Sequence, residues 1–223
     1  MMKVLLGVTT VNGAENLFAL FRSLENFPQA EPYVPFVVDD GSDAREVKNI
    51  NEVADLFGAA VEHFEDAKGR PENRGIPAGW NRIVSEAKTR RLPYALVLND
   101  DIEFLPEQSI LAARYLLDEN PTVGAVGITP FFRIQTGFTP TWAEDYPRTK
   151  PLLVPRAAGC SFMIRVSAWE EVEGFDEQFI SHFEDSDMGV RLAQASYLNV
   201  NVPQGVLHGW SKTFQKNSWL NGH

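Results

Sequence analysis

The chain of 223 residues is 44% hydrophobic and 22% charged, a composition that excludes disorder, collagen and coiled coil as its main description. Its 20 lysines and arginines against 30 aspartates and glutamates give a net charge of −10, which disfavours general nucleic-acid binding. The single cysteine, Cys160, cannot form a disulfide within the chain, which indicates a reducing compartment and predicts a cytoplasmic protein. The apolar run Met1–Val8 is too short for a signal peptide or a membrane span, so no transmembrane segment is expected.

Hydrophobic periodicity predicts strands and helices in alternation along the chain. The predicted strands cover Lys3–Val8, Tyr33–Val38, Ala60–Phe64, Tyr94–Leu98, Val123–Ile128, Ala157–Val166 and Tyr197–Val202. The predicted helices cover Ala14–Asn26, Val47–Phe57, Ala78–Lys88, Glu107–Asn120 and Glu184–Ala195. Pro130–Pro155 has no clear period and is interpreted as a mobile or acceptor-facing loop. The alternation predicts a single α/β domain with a mostly parallel central sheet flanked by helices.

Two acidic pairs follow predicted strands. Asp39 and Asp40 come after the second strand, and Asp100 and Asp101 come after the strand Tyr94–Leu98. Ligands of open α/β sheets bind outside the carboxyl ends of the strands, so these carboxylates are expected to meet at one edge. Such charges repel each other unless a cation or a donor-rich ligand lies between them, and a divalent cation with a diphosphate would satisfy both pairs. The alternative is turn formation, since Asp-Gly-Ser is a common turn sequence.

A third acidic cluster, His182–Asp187, lies at the start of the last predicted helix. Acids at a helix N-terminus are favoured by capping and by the helix dipole, and local evidence alone favours that structural interpretation. Asp187 lies four residues before Arg191, a spacing that predicts an ion pair. The functional interpretation is a general base that takes a proton from a hydroxyl nucleophile.

The late histidine His208 follows the last predicted strand, and a neutral imidazole is a good metal ligand, although a lone histidine is more often structural. His63 lies in no motif. The cations considered for a bound diphosphate are Lys68, Arg70, Arg74, Arg156 and Lys212, for most of which surface solvation is the better interpretation.

Taken in order, several segments together resemble family 2 glycosyltransferases, which have the GT-A fold. The similarity spans Lys3 to Ser211, and its second half is most similar to bacterial and viral rhamnosyltransferase-like members. The segments that carry it are Val8–Leu17, Val37–Ser42, Asn73–Asn81, Tyr94–Asp101, Ala158–Arg165, Gly174–Glu177, Phe183–Leu192 and His208 with Ser211. The resemblance implies a GT-A domain over residues 1–223, with a nucleotide-binding half at about 1–101 and an acceptor and catalytic half at about 102–212.

The resemblance also implies roles for individual residues. It implies a metal-dependent, inverting transfer of a sugar from a nucleotide-diphosphate donor to a hydroxyl of a glycan, a lipid-linked sugar or a protein glycan. Asp185, the second residue of the family's Glu-Asp motif, would be the general base. Asp101 and His208 would hold Mg²⁺ or Mn²⁺ on the diphosphate. The donor-binding residues would be Thr10, Asp39 and Asp40 at the nucleoside, and Asn99 and Asp100 at the ribose and diphosphate.

One departure from the family pattern keeps other classes open. Asn99 stands where the family's Asp-x-Asp motif has its first aspartate, and an amide binds a ribose more weakly than a carboxylate does. A non-catalytic module that binds nucleotide sugars or glycans is therefore an alternative. A sugar nucleotidyltransferase would share the sheet and the metal, but the segment Thr9–Gly13 is not the Gly-rich, Arg-containing loop expected after its first strand.

Overall fold

The computed structural model describes residues 4–25, 33–104, 109–132 and 150–208. The helices are α1 (Ala14–Glu25), α2 (Ala44–Phe57), α3 (Ile76–Thr89), α4 (Ser109–Glu119), α5 (Val166–Glu171) and α6 (Glu184–Gln194). The strands are β1 (Val4–Thr10), β2 (Tyr33–Asp39), β3 (Ala60–His63), β4 (Tyr94–Asn99), β5 (Ile102–Phe104), β6 (Val123–Phe132), β7 (Leu152–Val154), β8 (Ser161–Arg165) and β9 (Leu198–His208).

The strands of the described ranges form one nine-stranded sheet in the order β3-β2-β1-β4-β8-β6-β9-β5, and β7 also pairs with β9. Strands β3, β2, β1 and β4 are parallel to one another, because a helix lies between each strand and the next along this part of the chain. β8 is antiparallel to both of its neighbours, β4 and β6, and β5 and β7 are antiparallel to β9. The predicted α/β class is confirmed. β6 and β9 are also parallel, and the antiparallel pairings all lie in the second half of the sheet.

The second half also differs in the extent of its elements. The strand predicted over Ala157–Val166 is only Ser161–Arg165, because Val166 already begins α5. β5 and β7 are three-residue strands, too short to give a period, and β7 lies within the aperiodic stretch 130–155. Residues 133–149 of that stretch are outside the described ranges.

The sheet is covered on both faces. Alternating residues of β1 face opposite layers: Leu6 packs in a core with Leu17 of α1, and Leu5 packs in a second core with Ile83 of α3. The first core also contains side chains of α2 and α4, and the second contains side chains of α5 and α6. A side chain at Gly7 would overlap Ile83, so this glycine lets α3 lie directly on β1. The resulting α/β/α layers leave the carboxyl ends of β1, β2 and β4 at one edge.

Candidate active site

The strand ends bring the predicted donor-binding residues together. In the parallel register Thr10 of β1 lies opposite Asp39 of β2, and Thr9 lies opposite Asn99 of β4. The Thr10 hydroxyl donates to Asp100 Oδ2 at 2.6 Å. A side chain at Gly13 would overlap both of these groups, so the loop after β1 closes directly over them. The strand order thus makes one polar edge, although contact of these residues with a nucleotide remains a prediction.

Asp39 is held from both sides by protein groups. Its Oδ1 accepts a hydrogen bond from the Ser42 N–H at 3.1 Å and another from the Ser42 hydroxyl. Its Oδ2 lies 2.7 Å from His63 Nδ1, and His63 Nε2 lies 3.1 Å from Asn51 Oδ1. The Asp39 side chain is only 1% exposed, whereas that of His63 is 24% exposed. The turn interpretation therefore describes Asp39 well, and the imidazole is the more accessible group of the pair.

His63 is a site residue that the sequence did not reveal. It lies opposite Asp39 in the parallel β2–β3 register. The only signal in the sequence was a histidine at the end of a predicted strand, and the pairing itself depends on which strand lies beside β2.

Asp40 joins the end of β2 to the start of α3. Its carboxylate accepts hydrogen bonds from the backbone N–H groups of Arg74 at 2.6 Å and Gly75 at 3.1 Å. The Asn73 amide donates to the Asp40 carbonyl at 2.8 Å. Burial raises the pKa of Asp40 to about 6, against the lowering effect of the two backbone donors. Asp40 therefore has a structural task in addition to any contact with a nucleoside.

The two predicted metal ligands are Asp101, which directly precedes β5, and His208, which ends β9, the strand that pairs with β5. Asp100 and Asp101 form the turn between β4 and β5 and are both buried. β5 pairs antiparallel with β9, and Ile102 lies opposite His208. The backbone of His208 thus faces the residue that follows Asp101. The His208 side chain, and Ser211 with Lys212, lie outside what the structure describes. Among the described residues, the β4–β5 turn included, no three His, Cys, Asp or Glu side chains group as a metal site.

The predicted base, Asp185, lies in the first turn of α6 with its side chain 23% exposed. Its Oδ2 lies 3.2 Å from Arg156 Nε, and its Oδ1 accepts a hydrogen bond from the Ser186 hydroxyl at 3.2 Å. The backbone at Gly159 packs so closely that a Cβ there would lie 2.9 Å from Asp185 Oδ2. Among the cations considered for the diphosphate, Arg156 pairs with the predicted base through its guanidinium, Arg74 contacts Asp40 through its backbone N–H, and Arg70 pairs with Asp66 at 2.6 Å.

The two neighbouring acids of α6 have different environments. Asp187 accepts from Arg191 Nε at 2.7 Å, which confirms the ion pair predicted from their spacing. Arg191 also donates to the Val172 carbonyl at 2.7 Å. Arg191 therefore links α6 to the end of α5. Glu184 is 8% exposed, and its Oε2 has no hydrogen-bond partner among the described residues. Burial raises the pKa of Glu184 to about 7, with a further contribution from the charge of Asp185.

Cys160 connects the two parts of the site. The pKa of Cys160 is raised to about 12, chiefly by burial and in part by the negative charges of Asp101 and Asp185. The residue before Cys160, Gly159, packs directly against Asp185. The Cys160 carbonyl also accepts a hydrogen bond from the Asn99 N–H at 3.0 Å. This places the predicted base in the same neighbourhood as the β4–β5 turn.

Comparison with known proteins gives one family. The family model described as Glycosyl transferase family 2 matches residues 6–173. A stretch of 52 residues is 44% identical to the N-acetylglucosaminyl-diphospho-decaprenol L-rhamnosyltransferase of Mycobacterium tuberculosis, and it covers 23% of this chain and 17% of that protein.

Two solved structures are similar over nearly the whole chain. S. aureus TarS 1–349 in complex with UDP-GlcNAc matches with a TM-score of 0.66 and 17% identity, over 92% of this chain and 58% of that chain. The mannosyltransferase PcManGT from Pyrobaculum calidifontis, in complex with GDP-Man and Mn²⁺, matches with a TM-score of 0.66 and 19% identity, over 94% of this chain and 57% of that chain. The architecture is that of the GT-A glycosyltransferases. Among the helices that the structure describes, none combines the length and apolar character needed to cross a bilayer.

Proposed function

Because the chain belongs to glycosyl transferase family 2 and has the GT-A fold, it is a glycosyltransferase, and we propose that it is a metal-dependent enzyme that inverts the anomeric carbon. Its donor would be a nucleoside-diphosphate sugar and its acceptor a hydroxyl group. The observation that carries the proposal is the position of the Gly159–Cys160 segment: a Cβ at Gly159 would lie 2.9 Å from Asp185 Oδ2, and the Cys160 carbonyl accepts from the N–H of Asn99 at the end of β4 at 3.0 Å. A proton acceptor and an anionic strand-end turn are thus close together beside the polar edge.

The donor would bind along that polar edge. The supporting evidence is the convergence of Thr10, Asp39 and Asn99 in register and the hydrogen bond from Thr10 to Asp100. The similar structures contain UDP-GlcNAc and GDP-Man. In this chain Asp39 and Asp40 would shape the nucleoside pocket through their hydrogen bonds within the protein. Side chains with more exposed surface would contact the nucleoside directly.

A divalent ion fits the residues at the β4–β5 turn. Asp101 supplies a buried carboxylate, and the backbone of His208 lies on the adjoining strand. One carboxylate and one imidazole would hold Mg²⁺ or Mn²⁺ while leaving positions for diphosphate oxygens, as these ions prefer. PcManGT contains Mn²⁺ in its complex. When bound, the ion supplies positive charge that offsets the negative charge of the leaving diphosphate. The chain itself has a net charge of −10.

Asp185 would accept the proton of the acceptor hydroxyl. The oxygen of that hydroxyl forms the bond to the anomeric carbon, and the nucleoside diphosphate leaves. The Asp185 side chain is 23% exposed, so an acceptor hydroxyl can come within hydrogen-bond reach of it, as a base requires. Glu184 is less suited because it is only 8% exposed and so is poorly accessible to an acceptor hydroxyl, and Asp187 is already paired with Arg191. Among the expected acceptors, a lipid-linked sugar is the first to test, since the rhamnosyltransferase relative is named for such an acceptor.

The test measures release of nucleoside diphosphate and transfer to a lipid-linked sugar. Donors are UDP-GlcNAc, GDP-mannose and a nucleotide-activated L-rhamnose, each with Mn²⁺ and with EDTA. We expect Asp185→Asn to lose roughly 10²–10⁴ in transfer rate, the usual contribution of a positioned base, while donor binding persists. Glu184→Gln is the matched control from the adjacent position. Normal transfer by Asp185→Asn would refute the base, full activity in EDTA would refute metal dependence, and donor binding without turnover would indicate the non-catalytic module.

A further inference from the structure

The guanidinium of Arg156 lies against the carboxylate of Asp185. Arg156 Nε is 3.2 Å from Asp185 Oδ2, and Arg156 Nη1 donates to the Ser186 hydroxyl at 3.1 Å. That hydroxyl in turn donates to Asp185 Oδ1 at 3.2 Å. Each carboxylate oxygen thus has its own donor, and the arginine reaches both, one directly and one through Ser186. We propose that Arg156 is a positioning residue that fixes the orientation of the base. This inference rests on the proposed function, in which Asp185 is that base.

Two asparagines of β9 hold the segment that carries Arg156 through hydrogen bonds to its backbone. Asn199 Nδ2 donates to the Pro155 carbonyl at 3.2 Å and to the Gly189 carbonyl at 3.1 Å. Asn201 Oδ1 accepts from the Ala158 N–H at 3.0 Å. Both asparagine side chains are buried, where amide hydrogen bonds are costly to break. One amide therefore ties the segment before Arg156 directly to helix α6.

Two glycines allow the segment to lie directly on α6. A Cβ at Gly189 would lie 2.5 Å from the Pro155 carbonyl oxygen and 2.9 Å from Arg156 Cβ. A Cβ at Gly159 would lie 2.9 Å from Asp185 Oδ2. Larger residues at either position would push the segment away from the helix. The backbone on both sides of Arg156 is thus packed so that its side chain starts within reach of Asp185.

The charges around Asp185 give the arginine a second effect. The other titratable groups on which the charge of this carboxylate acts are Glu184 and Cys160, and each is an acid. Arg156 supplies the positive charge among the described neighbours. Its side chain is 45% exposed, so solvent screens the attraction and the ion pair adds little stability. Its effect is expected in the reaction rather than in folding.

The experiment compares Arg156→Gln, Arg156→Lys, Asp185→Asn and the double variant Arg156→Gln/Asp185→Asn with the wild type. The control is Arg90→Gln, which removes an arginine paired with Glu86 at 2.7 Å away from the site. Transfer is measured with whichever of UDP-GlcNAc, GDP-mannose and nucleotide-activated L-rhamnose supports turnover. Affinity for the matching nucleoside diphosphate with Mn²⁺ is measured by calorimetry. Thermal unfolding confirms that each variant is folded.

We expect Arg156→Gln to lower kcat roughly 10- to 100-fold, the effect of a misplaced reacting group, with unchanged nucleotide affinity. Arg156→Lys should recover part of the rate. The double variant should be no slower than Asp185→Asn, because an arginine that acts through the base has no further effect once the base is gone.

Three results would overturn the inference. A loss of nucleotide affinity that accounts for the lower rate would make Arg156 a ligand of the diphosphate. A double variant slower than Asp185→Asn would show that Arg156 acts independently of the base, and an unchanged kcat would show that it does not act at all. In each of these cases Asp185→Asn is still inactive and the proposed function stands. Normal transfer by Asp185→Asn would instead refute the base itself, and the role of Arg156 with it.

Discussion

Replacing Glu184 with glutamine should stabilise the protein at neutral and alkaline pH. Glu184 is buried, and no described residue bonds its Oε2. Its pKa rises from an ordinary value of 4.5 to about 7 chiefly because burial disfavours the charged form. The difference corresponds to about 3 kcal/mol. Glutamine has nearly the same shape as the protonated acid and carries no charge, so it removes the cost of ionisation without opening a cavity.

The direction of the effect follows from proton linkage. The folded state holds the Glu184 proton more tightly than the unfolded chain does, so this residue lowers the free energy of unfolding as pH rises from 4.5 to about 7. Above that range the cost of ionisation is constant. The stability difference between Glu184→Gln and wild type should therefore be near zero at pH 4 and should approach about 3 kcal/mol at pH 8.

Urea unfolding at intervals between pH 4 and pH 8 measures this difference directly, because all other titrating groups are common to both proteins. Glu119→Gln, at an exposed position on α4, is the matched control and should show no such rise. A difference that does not change with pH, or a variant less stable than wild type at pH 8, would refute the reasoning. Either result would mean that ionised Glu184 is stabilised by a group that compensates its burial.

Three further substitutions test the scaffold. Asp40→Ala should lower the free energy of unfolding by about 1–3 kcal/mol, because two backbone N–H groups lose their acceptor; unchanged stability with lost nucleotide affinity would make Asp40 purely a ligand. Gly159→Ala should slow transfer at least about 10-fold while the fold persists, because its Cβ would lie 2.9 Å from Asp185 Oδ2; normal kcat would show that this contact is unimportant. Asn81→Ala should lower Tm in a thermal scan, because its amide links α3 to Trp169, Phe175 and Glu177; an unchanged Tm would contradict this.

The sequence by itself determined the features that depend on neighbours along the chain. Alternating and helical periods gave the four strands β1 to β4 and the helices between them, since side-chain burial repeats every 2 residues in a strand and about every 3.6 in a helix. The i,i+4 spacing predicted the Asp187–Arg191 pair that the structure contains. Acids after β2 and β4 were expected at one edge because parallel strands end on the same side.

Only the tertiary structure decided the contacts between distant segments. Asp39 meets His63 because β3 lies beside β2 in one register, and a shift of one residue would turn that histidine to the other face. β8 enters antiparallel between β4 and β6, an arrangement that its own apolar pattern does not specify. That placement sets the Gly159 segment against α6, where Arg156 reaches Asp185. Local sequence patterns determine which residues are buried, whereas strand order and register determine which residues contact each other. The chemistry of this site depends on those contacts between distant segments.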